Sequence, residues 1–110
     1  MSDPPQAEHR RERVIFLGRV QGVGFRALVS EVAVGRPIAG WVRNEPDGTV
    51  CMLVEGVSGD LDALIETIQD RREPDLDGVH REIIPPEAVN GGDSGLLKGF
   101  RIKFNPLPDR

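Results

Sequence analysis

The chain has one cysteine, Cys51, two histidines, His9 and His80, and no tyrosine. A single cysteine cannot close an internal disulfide, which agrees with a reducing compartment. One Cys and two widely separated His give no zinc-ligand spacing, so no metal site is expected. No apolar run approaches the roughly 18 residues that a bilayer span requires. The opening MSDPPQAEHRRER has no apolar stretch of the signal-peptide kind, so the cytoplasm is the expected location. A basic excess is also missing: Lys and Arg number 14 against 18 Asp and Glu, a net charge of −4. That balance argues against a nucleic-acid or anionic-membrane partner, both of which need a basic footprint. A sheet that reads RNA further needs exposed aromatics, and this chain has four Phe and one Trp. A small anion pocket is not excluded, because a pocket is built from local donors and not from net charge.

What is present is an ordinary globular composition, 38% apolar and 29% charged, over 110 residues. That length is one domain. Residues 1–12 are polar and carry the basic run His9-Arg10-Arg11. They read as a mobile, solvated tail ahead of a folded domain over 13–105.

The periodicities lay out the elements. Val14 to Val20 alternates with both faces largely apolar, as in a central strand. Gln21 to Gly24 is a glycine-punctuated turn. Phe25, Leu28, Val29, Val32 and Ala33 then form a helical stripe, stopped by Gly35 and Pro37. Ile38 to Arg43 reads as a strand, Asn44 to Gly48 as a turn, and Thr49 to Glu55 as a strand, with Asp47-Gly48 as the hairpin signal. Gly56 to Gly59 breaks the pattern. Ser58 or Asp60 can cap a second helix with the stripe Leu61, Leu64, Ile65 and Ile68, fading at Arg71-Arg72. Gly78 to Ile84 is a fourth strand, residues 87–97 are a loop, and Gly99 to Phe104 is a final strand with one solvated face. No internal repeat is visible.

Two strand-helix-strand units around a hairpin predict an α+β, ferredoxin-like split βαβ sandwich, βαββαβ, an antiparallel sheet with both helices on one face. Right-handed crossovers place the first and third strands in the middle. The fold alone does not specify an activity.

Gly22-Val-Gly24-Phe-Arg26-Ala27 is the segment with chemical content. A Walker-type loop is excluded because no Lys-Ser or Lys-Thr follows the glycines. Gly22, Gly24 and Ala27 satisfy G-x-G-x-x-G/A, and Glu45 lies where a ribose-binding acid would sit. That dinucleotide fold, however, needs parallel strands alternating with helices and a longer chain. A simple anion cradle fits better: the glycines let successive N–H groups converge, a helix N-terminus adds its dipole, and the Arg26 guanidinium can fork onto two phosphate oxygens. On the loop alone, a plain strand-to-helix turn with a surface arginine fits equally well.

Gly18-Arg19-Val20-Gln21-Gly22-Val23-Gly24-Phe25-Arg26, followed by Ala33, by Gly40-Trp41-Val42-Arg43-Asn44 and by Asp47-Gly48, resembles the acylphosphatase family. Gly56 and Phe100-Arg101-Ile102 agree, and the resemblance covers roughly residues 12–104. It implies the ferredoxin-like fold and hydrolysis of a carboxylic–phosphoric mixed anhydride without metal or cofactor. The catalytic residues it implies are Arg26 and Asn44, with the phosphoryl group bound by Gln21, Gly22, Val23, Gly24, Phe25 and Arg26. The implied ligands are a small acyl phosphate substrate and phosphate or sulfate, on a monomer with no nucleic-acid or membrane partner. The chain departs from the family pattern at Ala27, where an aromatic is usual, at Pro37, where glycine is usual, and at Arg72-Glu73-Pro74 with Asp75-Leu76-Asp77, where Gly-Pro is usual. These departures bear on the substrate cleft more than on the chemistry.

The residue chemistry agrees with that assignment. The departing carboxylate is the base of an acid with pKa near about 4–5, so no general acid is needed, and the loop block contains no His, Asp, Glu or Cys. Arg26 and the loop amides would stabilise phosphoryl charge, and the neutral Asn44 amide would hold a water in line. Taken by itself, Asn44 also fits a turn-capping residue. Arg43 reads as a solvated strand residue, Trp41 as sheet-face packing, Cys51 as a buried strand residue and His80 as a strand-face residue. The alternative functional reading is a non-catalytic anion-binding or regulatory module of the same fold. A stand-alone relative of the acylphosphatase-like domain of hydrogenase-maturation carbamoyltransferases is a further variant, with carbamoyl phosphate preference and a partner protein.

Overall fold

A computed structural model describes residues 8–85 and 99–103. The strands are β1 (His9–Gly18), β2 (Ile38–Asn44), β3 (Val50–Val57), β4 (Leu76–Ile83) and β5 (Phe100–Lys103). Two helices, α1 (Phe25–Ala33) and α2 (Ser58–Arg72), interrupt them, and a 3₁₀ turn, Glu73–Asp75, follows α2. The sheet order is β4-β1-β3-β2-β5. β1 and β3 lie side by side in the middle, as the crossover rule requires, and this is the ferredoxin-like arrangement. The β3 partners of β1 run from His9↔Val57 to Phe16↔Val50.

The helical stripes bury as their spacing predicts. Phe25, Leu28, Val29, Val32 and Ala33 of α1 and Leu61, Leu64, Ile65 and Ile68 of α2 join Val14, Phe16, Val42, Val50, Met52 and Val54 in one core. Both helices therefore cover the same sheet face, the one presented by even-numbered residues of β1, β2 and β3. Phe16 meets Phe25 edge-on at 5.0 Å between ring centroids, joining the last buried position of β1 to the first of α1. A smaller cluster of Trp41, Cys51, Leu53 and Ile84 lies on the opposite sheet face. No helix among the described residues is long and apolar enough to cross a membrane.

Four expectations are corrected. The first strand begins at His9, so part of the supposed tail is sheet. Arg11 is only 5% exposed and stands opposite Glu55 in the β1–β3 register. Its Nε and Nη2 both reach Glu55 Oε1, at 3.0 and 2.7 Å. Its neighbour Glu12, 1% exposed, accepts a two-pronged contact from Arg81 of β4 at 2.8 Å on each oxygen. Charges that pair across strands can enter a central strand, and a linear polar pattern does not show who their partners are. The sheet is mixed, not wholly antiparallel, because β5 joins the β2 edge in parallel, with Gly40↔Phe100 and Val42↔Ile102. Neither Ser58 nor Asp60 caps α2: Val57 holds the N-cap position without a side-chain cap bond, and the Ser58 N–H donates to the Glu8 carbonyl at 2.7 Å. Arg43 is not merely solvated. Its guanidinium lies 4.6 Å from the Trp41 ring centroid, and its Nε donates to Glu45 Oε2 at 2.6 Å. The predicted 87–97 loop and the end of the final strand at Phe104 lie outside the described residues.

Candidate active site

The site forms where the turn from β1 to α1 passes the end of β2. β1 and β2 run in the same direction with β3 between them. Their connection through α1 brings the residues after Gly18 to the edge where β2 ends at Asn44.

The glycines of this turn adopt a backbone that side chains disfavour. Gly22 has φ +75° and Gly24 φ +78°, both in the left-handed region. Gly24 is also the N-cap of α1, with no side-chain cap bond, and its carbonyl accepts the first helical bond from Leu28 N at 3.0 Å. The helix end that leaves N–H groups without intrahelical partners therefore faces the turn. No acidic residue occupies the first turn of α1, so nothing there offsets the positive end of the helix dipole.

Here the fold forms a partly open hollow of about 170 Å³, lined by Val20, Gly22, Gly24, Phe25, Arg26, Ala27, Asn44 and Ile102. Of the site residues expected from sequence, Gly22, Gly24, Phe25, Arg26 and Asn44 share this one hollow. Asn44 Oδ1 is buried and has no hydrogen-bond partner among the described residues. A buried acceptor without a partner carries a desolvation cost of about 1–3 kcal/mol, so its place beside a cavity calls for a polar occupant.

Gln21 and Val23 are not among the lining residues, and their side chains are engaged elsewhere. The Gln21 side chain turns toward the β2–β3 hairpin, where its Nε2 donates to the Glu45 and Thr49 carbonyls, each at 2.8 Å. Val23 packs its side chain against the core, and its carbonyl accepts from Arg72 Nη2 at 2.9 Å. The sequence marked Ala27 and the 72–77 segment as departures that bear on the cleft; it did not mark Val20 and Ile102, which with Ala27 form an apolar wall of the hollow, nor the contact that Arg72 makes. The signal for Ile102 was the apolar alternation of the last strand. The signal for Arg72 was its departure from the family pattern.

The hairpin that carries Asn44 is held by its own turn. Asp47 Oδ1 accepts from Thr49 N at 3.0 Å and from Thr49 Oγ1 at 2.6 Å. The side-chain bond from Thr49, followed by the backbone one, holds the Asp47 carboxyl below its ordinary value. Cys51 is buried on β3: desolvation pushes its thiol up to about 11, so it is no nucleophile at neutral pH. Among the described residues no cluster of three or more His, Cys, Asp or Glu is placed to hold a metal ion.

Comparison with known proteins agrees with this geometry. The acylphosphatase family model matches residues 12–91. An acylphosphatase of Methanospirillum hungatei is 47% identical over 64 residues, 58% of this chain and 70% of that protein. One from Rhizobium etli is 43% identical over 93 residues, covering 82% of this chain and 89% of that protein. The crystal structure of the Bacillus subtilis acylphosphatase superposes with a TM-score of 0.68 at 31% identity, covering 84% of this chain and 97% of that one. The chain belongs to the acylphosphatase family and is a hydrolase of acyl phosphates.

Proposed function

We propose that the hollow between the 21–26 turn and Asn44 binds the phosphoryl group of a small acyl phosphate, and that Arg26 and Asn44 carry its hydrolysis. The backbone amides of the turn and the α1 N-terminus complement the phosphoryl oxygens. Arg26 supplies the formal positive charge, and its planar fork suits two of those oxygens. The apolar wall of Val20, Ala27 and Ile102 suits the acyl portion. Inorganic phosphate and sulfate fit the same cradle as competing ligands.

The observation that carries the reading is the buried Asn44 Oδ1, without a hydrogen-bond partner among the described residues, at the wall of the same cavity as Arg26. An amide oxygen accepts a hydrogen bond from a water and turns its lone pair toward phosphorus without holding the water as a charge would. The water oxygen forms the new P–O bond, the P–O bond to the acyl group breaks, and the electron pair leaves on the carboxylate. The protons of the water end on the phosphate product. No proton need be given to the leaving group, so no general acid is required. Charge stabilisation and alignment are the terms that remain, and they are the usual main terms in phosphoryl transfer. The proposed catalytic unit is a single chain acting in the cytoplasm.

The test is hydrolysis of benzoyl phosphate by wild type, Arg26→Ala and Asn44→Ala, with inorganic phosphate as competitor. Arg26→Ala is expected to lose both turnover and phosphate inhibition. Asn44→Ala is expected to keep phosphate inhibition and lose turnover by about 10²–10³-fold. Phosphate binding without turnover in a folded wild type would assign the chain to anion binding alone.

A further inference from the structure

The geometry points to Arg72 as a positioning residue of the phosphoryl cradle, an inference that rests on the function proposed above. Arg72 closes α2, far along the chain from the 21–26 turn, yet its guanidinium reaches the tip of that turn. Nη2 donates to the Val23 carbonyl at 2.9 Å, and Nη1 is held 3.2 Å from Asp75 Oδ2 in the following 3₁₀ turn. A Cβ placed on Gly24 would find Arg72 Nη2 as its nearest neighbour, at 3.8 Å. The guanidinium therefore sits directly behind the two residues that shape the cradle's tip.

The same 3₁₀ turn holds the other end of the loop. The Asp75 carbonyl accepts from Arg19 N at 2.8 Å. Gly18 has no room for a side chain there, because a Cβ would run into the Asp75 carbonyl oxygen and the Asp77 nitrogen. The corner from Arg72 to Asp75 thus grips the loop at its entry, through Arg19, and at its tip, through Val23.

The tip contact matters most for binding. A peptide unit that turns over would present the Val23 carbonyl to the hollow in place of the Gly24 N–H. The glycine-rich backbone at Gly22 and Gly24 offers little resistance to such a flip. An oxygen aimed at a phosphoryl group repels it. By bonding the Val23 carbonyl from behind, Arg72 keeps the Gly24 N–H on the ligand side. Its cationic charge also adds to the positive potential at the α1 N-terminus. Arg72 lines none of the cavity, so it acts through the loop and does not touch substrate.

The experiment compares wild type, Arg72→Met, Arg72→Lys, Asp75→Asn and Arg26→Ala for steady-state hydrolysis of benzoyl phosphate and for inhibition by inorganic phosphate. Arg72→Met keeps the aliphatic stem and is expected to weaken phosphate inhibition and kcat/KM by roughly ten- to a hundred-fold. Arg72→Lys keeps one donor and the charge and should recover a large part of both. Asp75→Asn keeps the backbone bond to Arg19 but loosens the Arg72 guanidinium, so it should weaken phosphate inhibition and kcat/KM in the same direction as Arg72→Met, by a smaller factor. A merely structural role would lower Tm in Arg72→Met while kcat/KM and phosphate inhibition of the folded enzyme stayed as in wild type, and that result overturns the proposal. If Arg72→Met does not fold, Arg72→Lys decides, by the Gly24 amide resonance in ¹H–¹⁵N spectra titrated with phosphate. A phosphate-induced shift like that of wild type supports the cradle orientation, and its loss of response with full activity refutes it. Phosphate inhibition that survives Arg26→Ala would overturn the underlying site assignment itself, which is a different pattern from an inert Arg72→Met beside a dead Arg26→Ala.

Discussion

Gln21 Nε2 lies 2.8 Å from the carbonyl oxygen of Thr49, so the side chain of the glycine turn is bonded to the last residue of the β2–β3 turn. The same nitrogen also reaches the Glu45 carbonyl at 2.8 Å, while Glu45 N bonds Thr49 O at 2.9 Å across the hairpin mouth. One amide thus registers the 21–26 turn against the strand end that presents Asn44. This bond joins the 21–26 turn to the hairpin beyond Asn44 directly, in addition to the pairing of β1 and β2 with β3.

Replacing Gln21 with Leu should therefore separate the two halves of the site. Loss of the bonds leaves each carbonyl with its backbone donor alone, Glu45 N for Thr49 and Gly48 N for Glu45, at a cost of about 0.5–1.5 kcal/mol per bond lost. Turnover should fall by roughly tenfold or more as Asn44 loses its register, with phosphate inhibition less affected. Thermal melts and benzoyl phosphate kinetics on the same preparation check both parts.

Gly24→Ala tests the loop backbone without a steric clash, since the nearest atom to a new Cβ is 3.8 Å away. Its φ of +78° costs an alanine about 1–2 kcal/mol. The expected outcome is a lower Tm with phosphate inhibition weakened more than the small change in volume would predict. An unchanged inhibition constant would mean that the backbone at Gly24 does not shape the cradle.

Arg11 and Glu55 form a pair with side-chain exposures of 4% and 5%. Arg11→Met removes the cation that bonds Glu55 Oε1 at 2.7 Å in a buried setting and should cost about 3–5 kcal/mol. The double substitution of both residues to Met removes both buried charges, and most of that loss should return. Denaturant melts of the two single variants and the double give the coupling directly. Neither residue lines the cavity, so activity of the folded fraction should hold.

The buried Cys51 thiol makes alkaline stability a readout. Its pKa rises from 9.0 to about 11 because burial disfavours the thiolate. The folded state therefore keeps its proton where the unfolded state has lost it. The associated stability is full below pH 9 and falls away as pH climbs toward about 11. Cys51→Val should flatten that part of the stability-versus-pH curve. In native protein the thiol should resist alkylation near neutral pH and react once denaturant is added.

The linear pattern carried most of this fold. Hydrophobic spacing marked both helices, since a helix that buries one stripe must repeat it along the chain, and the Asp47-Gly48 turn marked the hairpin between β2 and β3. Pattern failed where pairing decides. His9 to Arg13 reads as polar, but Arg11 and Glu12 enter the sheet because Glu55 and Arg81 await them on neighbouring strands. Parallel docking of β5 on β2 depends on which edge is open, and no local signal reports an open edge.

The residues of the 18–26 and 40–44 blocks named the chemistry through their resemblance to the acylphosphatase family; taken by themselves, the loop fitted a plain strand-to-helix turn and Asn44 a turn cap. Their sequence alone could place a phosphate-sized turn, a cation and an amide on the chain. Only the tertiary structure decided that Gly22, Gly24, Arg26 and Asn44 share one cavity. It also decided that Gln21 faces the hairpin and that Arg72 stands behind Val23. The reason is physical: backbone propensity and hydrophobic period act over a few residues. The direction of a side chain in a turn, by contrast, is set by which carbonyl, from 24 or 49 positions away, the folded chain brings within reach.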